Sequence, residues 1–179
     1  MIDYSDLGVV WYAMKTTYKK ERKAQEYLDA LGIENFIPMR QAIETKHGKK
    51  RVALVPAVHN LIFVKTDLAT LITIKKELNY LHNRLMRDGD KSLPIIVPSG
   101  QMDQFIDAMT HHLEKVIYID LTDAQLEKGT PVRVTDGDFK GYEGVLEKIK
   151  GKRDRVVHVI IKGVAAYKFE VRACDIEKM

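Results

Sequence analysis

Cysteine is almost absent from this chain of 179 residues. Cys174 stands alone, which excludes a disulfide within the chain and any zinc site built on several thiolates. A small side chain in a last strand is the role its type favours. Long apolar runs are missing as well: none approaches the roughly 20 residues that span a bilayer. The opening "MIDYSDLG" carries acids where a secretory leader needs a basic segment and an apolar core, so a cytoplasmic location is expected. No glycine loop of the phosphate-cradling form precedes a helix, and no serine, histidine and aspartate or cysteine and histidine grouping falls into a catalytic motif. His111 and His112 are adjacent and would diverge by about 100° on a helix, so they cannot chelate one ion. An enzyme is not expected, nor a metal or any other cofactor. One sign of charge is also not dominant: the net of +4 is modest, unlike that of a strongly basic nucleic-acid binder.

What is present is 45% hydrophobic and 30% charged, the balance of a folded globular chain. "VVWYAM" (9–14) is a compact apolar run with β-branched and aromatic residues and reads as a buried strand. Trp11 and Tyr12 should then face opposite sides of a sheet, one of them in the core. Ala24, Tyr27, Leu28 and Leu31 follow at helical spacing, with Gly32 where a left-handed stop belongs. Two extended runs then meet at His47-Gly48, a hairpin signal. "NLIFVK" (60–65) is another strand, and Asp67 can cap a helix over "LATLITIKKEL" (68–78). "PIIVP" (94–98) is a short strand closed by prolines, and Met102, Phe105, Ile106 and Met109 repeat the helical period. The fold class expected is α+β, a ferredoxin-like antiparallel sheet with three helices.

Residues 113–126 show no sustained period and read as a tether with an extended patch at "VIYID". From residue 127 the chain turns to short strands, "PVRV", "GVLEKI", "RVVHVII" and "YKFEV", which fit a small all-β barrel of the SH3-like kind. The expected domains are 1–112, a 113–126 linker and 127–179. Gly137, Gly141 and Gly144 serve the turn between the first two strands of that barrel. Phe139 at the turn is either folded onto a small core or offered to a partner. Lys46, Lys49, Lys50 and Arg51 at the hairpin tip either follow DNA or RNA phosphates or form a solvated turn. The basic residues around Gly151 pose the same pair of alternatives.

"KGTPVRVTDGDFKGYEGVLEKI" (128–149) resembles the KOW motif, found in transcription and ribosomal proteins. "WYAMKT", "ERKAQEYLDALGIENFIP", "KKRVALVPAVHNLIFV" and "PIIVPSGQMDQFI" together resemble the N-terminal domain of NusG-type transcription elongation factors. Among these, the specialised paralogues of the UpxY type, acting on capsular polysaccharide operons, are the nearer likeness and RfaH the more distant. The resemblance implies a two-domain elongation and antitermination factor, monomeric and without a membrane segment. Its first domain would bind the RNA polymerase clamp and its KOW domain would recruit a ribosomal protein or the termination factor Rho.

The same resemblance places the polymerase contact at Ala13, Lys15, Val58, His59, Leu61, Phe63 and Ile95, with an apolar patch around Val58, Leu61 and Phe63. Thr73 falls where the RfaH-like proteins carry a His-Thr-Thr element for a second polymerase contact, here Ile72, Thr73 and Ile74. Phe139 and Arg133 are the KOW residues expected to meet a partner. The usual Pro-Leu-Phe-Pro-Gly-Tyr stretch is replaced by Pro56 to Leu61, aliphatics standing for two aromatics, so the contact is expected to be rebuilt. A general RNA-binding protein and a ribosome-associated KOW protein are the rival readings.

Overall fold

The computed structural model describes residues 8–119, 129–147, 155–161 and 163–179. The chain divides into two compact units, Met1–Ile106 and Asp107–Met179.

The first unit opens with β1 (Val10–Thr16) and α1 (Glu21–Ala30), followed by β2 (Asn35–Phe36). β3 (Met39–Lys46) and β4 (Lys49–Pro56) form a hairpin of their own. β5 (Leu61–Thr66), α2 (Leu68–Glu77), β6 (Leu81–Asn83), a second hairpin of β7 (Leu85–Asp88) and β8 (Lys91–Pro94), and β9 (Ile96–Val97) come next. Helix α3 (Ser99–His111) carries the chain into the second unit. The main sheet has the order β2-β5-β1-β6, with β9 also pairing β1.

Local chemistry explains the helix ends. At the close of α1 the Ile33 amide donates to the Leu28 carbonyl over 2.9 Å and the Gly32 amide to that of Asp29 over 3.0 Å. Gly32 stands at φ +67°, the left-handed conformation that this termination requires and that glycine takes without a Cβ clash. Asp67 opens α2 by accepting from the Thr70 amide at 2.9 Å and the Thr70 hydroxyl at 2.7 Å. Those hydrogen bonds favour its ionised form and hold its carboxyl below the ordinary range.

Both faces of the main sheet are covered. Tyr12, Met14, Ile62 and Val64 pack in one core with Ala24 and Leu28 of α1 and Leu71 and Ile74 of α2. On the opposite face Phe63 meets Phe105 of α3 edge-on, ring centroids 5.7 Å apart, and Phe36 meets the same ring at 5.9 Å. Trp11 and Tyr12 do point to opposite sides, yet both are buried, because each side has helical cover.

The second unit is one antiparallel sheet, β10 (Ile117–Ile119), β11 (Thr130–Val134), β12 (Glu143–Glu147), β13 (Arg155–Ile161), β14 (Ala165–Val171) and β15 (Ile176–Lys178), in the order β10-β14-β13-β12-β11-β15. β10 comes from the stretch expected as a tether; the end of that tether, 120–126, lies outside the described residues, as do the basic residues from 148 to 154. Gly144 is a strand residue rather than a turn residue. A Cβ there would stand 2.4 Å from the carbonyl oxygen of His158 and 2.6 Å from Cγ1 of Val157, so only glycine lets β12 and β13 approach this closely. Cys174 is exposed in the 3-10 turn Ala173–Asp175, not in the last strand, because the strand begins after it.

Candidate functional site

The residues expected to form an apolar contact patch separate into two sets. Ala13, Leu61, Phe63 and Ile95 are buried within the chain. Leu61 pairs with Lys15 and Phe63 with Ala13 across β1 and β5, on the side that Phe105 covers. They lie inside the fold and offer no surface of their own, which corrects the expectation of an exposed apolar patch at Leu61 and Phe63. Lys15 and His59 remain exposed and Val58 is half-buried. Lys15 also stands opposite the exposed His82 of β6. Thr73 is exposed on α2, its hydroxyl donating to the Ala69 carbonyl at 3.2 Å. It belongs to the helix that packs on the Tyr12 side of the sheet, so it does not join the Lys15 cluster.

Val58 and His59 lie in the loop between β4 and β5, and that loop is braced. Asn60 adopts φ +59°, its side-chain oxygen accepts from the Lys19 amide at 2.8 Å, and its carbonyl accepts from Thr16 at 3.0 Å. Tyr18 and Lys19 are also left-handed, at φ +58° and +55°. Three strained non-glycine residues meeting at one point hold the two loops together, the kind of backbone cost that binding sites retain. Tyr18 is 88% exposed, and the Lys20 ammonium lies 4.9 Å from the ring centre of Tyr80 and 5.8 Å from that of Tyr18. The loop is the polar stretch "TTYKK" (16–20). An aromatic inside a basic turn was the available signal.

Lys46, Lys49, Lys50 and Arg51 are all exposed on the β3–β4 hairpin. His47 and Gly48 form its two-residue turn at φ +51° and +75°, the turn whose twist matches paired strands. The hairpin is rooted at its base, where the Ala57 amide donates to the Pro38 carbonyl at 2.8 Å and Arg22 reaches the Leu54 carbonyl at 3.3 Å. Arg51 pairs with Glu44 at 3.5 Å, an exposed contact that leaves it open to exchange. From residue 39 to 56 five cations face one carboxylate, a surplus of four that equals the formal net charge of the whole chain. Residues 1–90 carry 15 cations and 11 carboxylates and residues 91–179 carry 14 of each, so the net charge lies in the first half of the chain and is not spread over both.

In the second unit Phe139 is 4% exposed. It stacks on Phe169 and meets Tyr142 edge-on at 5.3 Å and His112 at 5.0 Å. The Gly137 and Gly141 turn therefore folds its ring inward and does not present it. Around the cluster, Tyr142 donates to the Asp107 carboxylate and Lys115 pairs with Asp138. The Tyr142 hydrogen bond holds the Asp107 carboxyl below its ordinary range, and burial pushes the Tyr142 phenol up. A cleft of about 760 Å³ opens beside these groups, lined by Lys115, Asp138, Phe139, Lys168, Phe169 and Arg172 among others. Arg133 is exposed but engaged: Nε and Nη2 donate to Glu143 Oε1 at 3.0 and 2.6 Å, and Nη1 lies 3.8 Å from Glu177. Among the described residues no group of histidine, cysteine and acidic side chains is arranged to hold a metal.

Residues 9–106 match the family described as "Transcription termination factor nusG". The chain belongs to that family. The matched span includes the braced loops and the cationic arm, while the second unit lies wholly beyond it. Among solved structures, the chain is similar to NusG of Thermotoga maritima, from a study of its domain interaction, at 19% identity, covering 96% of this chain and 97% of that one with a TM-score of 0.48. It is also similar to a chain of the MjSpt4:Spt5 complex at 10% identity, with 94% and 96% covered and a TM-score of 0.28. No curated protein sequence matches it significantly. Among the described residues of this NusG-family chain, no helix is long and apolar enough to cross a membrane.

Proposed function

We propose that this NusG-family chain is a non-enzymatic transcription elongation and antitermination factor. The first unit binds RNA polymerase, and the second recruits a further protein, a ribosomal protein or the factor Rho. Binding that is tighter to the closed, actively elongating enzyme than to its paused form raises the population of the former, with no catalytic group required. The observation that carries this reading is the family match over 9–106, the span that holds both the braced loops and the arm.

Within it, the polymerase contact is assigned to the surface that Lys15, Val58 and His59 offer, with Tyr18 and Lys20 beside them on the bracing loop. Ala13, Leu61, Phe63 and Ile95 shape that surface from below. Thr73 is a separate, second polymerase contact on α2. The basic tip meets nucleic acid in the assembled elongation complex, where counterion release rewards phosphate contacts. Arg133 and the Phe139 turn lie in the recruiting unit, and the likeness to the UpxY type directs the factor to capsular polysaccharide operons.

The test is a pull-down of the purified full chain against core RNA polymerase and against ribosomes. Retention of polymerase is expected. Retention of ribosomes alone makes it a ribosome-associated protein, and retention of neither with binding to bulk RNA makes it a general RNA binder.

A further inference from the structure

The arm formed by β3 and β4 has a second face, and its cations do not account for it. Directly opposed residues of an antiparallel pair point to the same side. The register therefore sets Gln41 with Leu54, Ile43 with Val52 and Thr45 with Lys50 on one face. Arg40 with Val55, Ala42 with Ala53, Glu44 with Arg51 and Lys46 with Lys49 lie on the other. Ile43, Val52 and Leu54 are 73%, 68% and 55% exposed, an aliphatic row standing in water on a ribbon that, among the described residues, pairs only with itself. Isolated exposed aliphatics are ordinary; three neighbours on one face of a projecting ribbon mark a contact surface.

Charge and shape identify what meets it. Lys50 continues the aliphatic row at the tip, and Lys46, Lys49, Arg51 and Arg40 stand on the reverse, so the arm holds the whole positive surplus of the chain. That surplus fits a polyanion. A two-stranded ribbon has the cross-section that the major groove of B-form DNA, about 12 Å wide, admits. Strands of eight residues reach about 26 Å along it. The arm carries no phenylalanine, tyrosine or tryptophan, hence none of the flat rings on which the bases of a single strand stack. Branched aliphatics pack instead on thymine methyls and sugar walls inside a groove.

We propose that the arm enters a groove of double-stranded DNA with the Ile43, Val52 and Leu54 face against the base edges, while the long basic side chains turn to the flanking phosphates. This rests on the reading that the arm meets nucleic acid in the elongation complex, and it adds which nucleic acid and by which face. The test places a photoreactive residue at position 52, and separately at position 49, in the full chain bound to a polymerase elongation complex with radiolabelled DNA and RNA. Both positions are expected to label DNA within the duplex. Labelling from position 52 of polymerase polypeptide, RNA or single-stranded DNA alone overturns the proposal while position 49 still labels DNA. Failure of both to label any nucleic acid overturns the underlying reading. In parallel, an Ile43→Ser, Val52→Ser variant should bind the complex about tenfold more weakly with an unchanged salt dependence, whereas Lys49→Ser, Lys50→Ser should lower the salt slope by roughly one unit per lost phosphate. Undiminished affinity in the first variant also overturns the proposal.

Discussion

Phe139 stacks on Phe169 with ring centroids 4.0 Å apart and planes 20° from parallel. The pair joins a turn to β14 across the second unit, so the turn residue is a core residue. Phe139→Ala should therefore cost about 3–5 kcal/mol of stability, the range for deleting a buried phenyl ring. Urea unfolding of the full chain, read through amide exchange of β13 and β14, measures it. A loss under about 1 kcal/mol would return Phe139 to the role of a presented anchor.

Leu61→Asp is expected to unfold the first unit rather than to remove a contact cleanly. An unpaired carboxylate at this fully buried position would cost at least about 3 kcal/mol, because no water reaches it. Val58→Asp and His59→Ala change the half-buried and exposed loop and should shift stability by about 0.5 kcal/mol or less while weakening polymerase binding about tenfold. Circular dichroism melts beside polymerase pull-downs separate the two behaviours.

Gly144→Ala should destabilise the second unit by about 2–3 kcal/mol, since β12 and β13 must part to admit the methyl group. Gly100→Ala, where a Cβ meets nothing, is the control and should be neutral or mildly stabilising. Urea midpoints of the two variants decide the comparison.

Acid should loosen the second unit more than the first, where Asp67 is held low in the same way. The carboxyls of Asp107, Asp138 and Asp175 are all held below the ordinary aspartate value, by hydrogen bonds from Tyr142, Lys115 and Arg172 respectively. A carboxyl lowered in the folded state contributes stability that is present above its unfolded value near 3.8 and is lost as the pH falls through the lowered folded value. Melting temperature should hold from pH 7 to about 5 and fall below about 4. Asp107→Asn should flatten part of that fall.

Features set by a few neighbouring residues were readable without coordinates. Asp67 ahead of α2, Gly32 after α1 and the His47-Gly48 turn each carry their own short-range signal, and all three take the expected role. "VVWYAM" and "NLIFVK" also hinted at burial on both faces, because their apolar residues do not alternate with polar ones. For Phe63 the cover comes from Phe105, some forty residues further along the chain. Asn60 braces the two loops through hydrogen bonds from the Lys19 and Thr16 amides, which are distant from it in sequence.

The sequence by itself determined the order of strands and helices, the caps, the arm and its charge, since these follow from φ/ψ preferences, periodicity and covalent neighbours. Tertiary structure alone decided which apolar residues became surface. Ile43 and Val52 are as hydrophobic as Leu61 and Phe63, and the first pair stands in water while the second is sealed. Burial depends on what packs over a side chain, and that cover is supplied by segments remote in the chain.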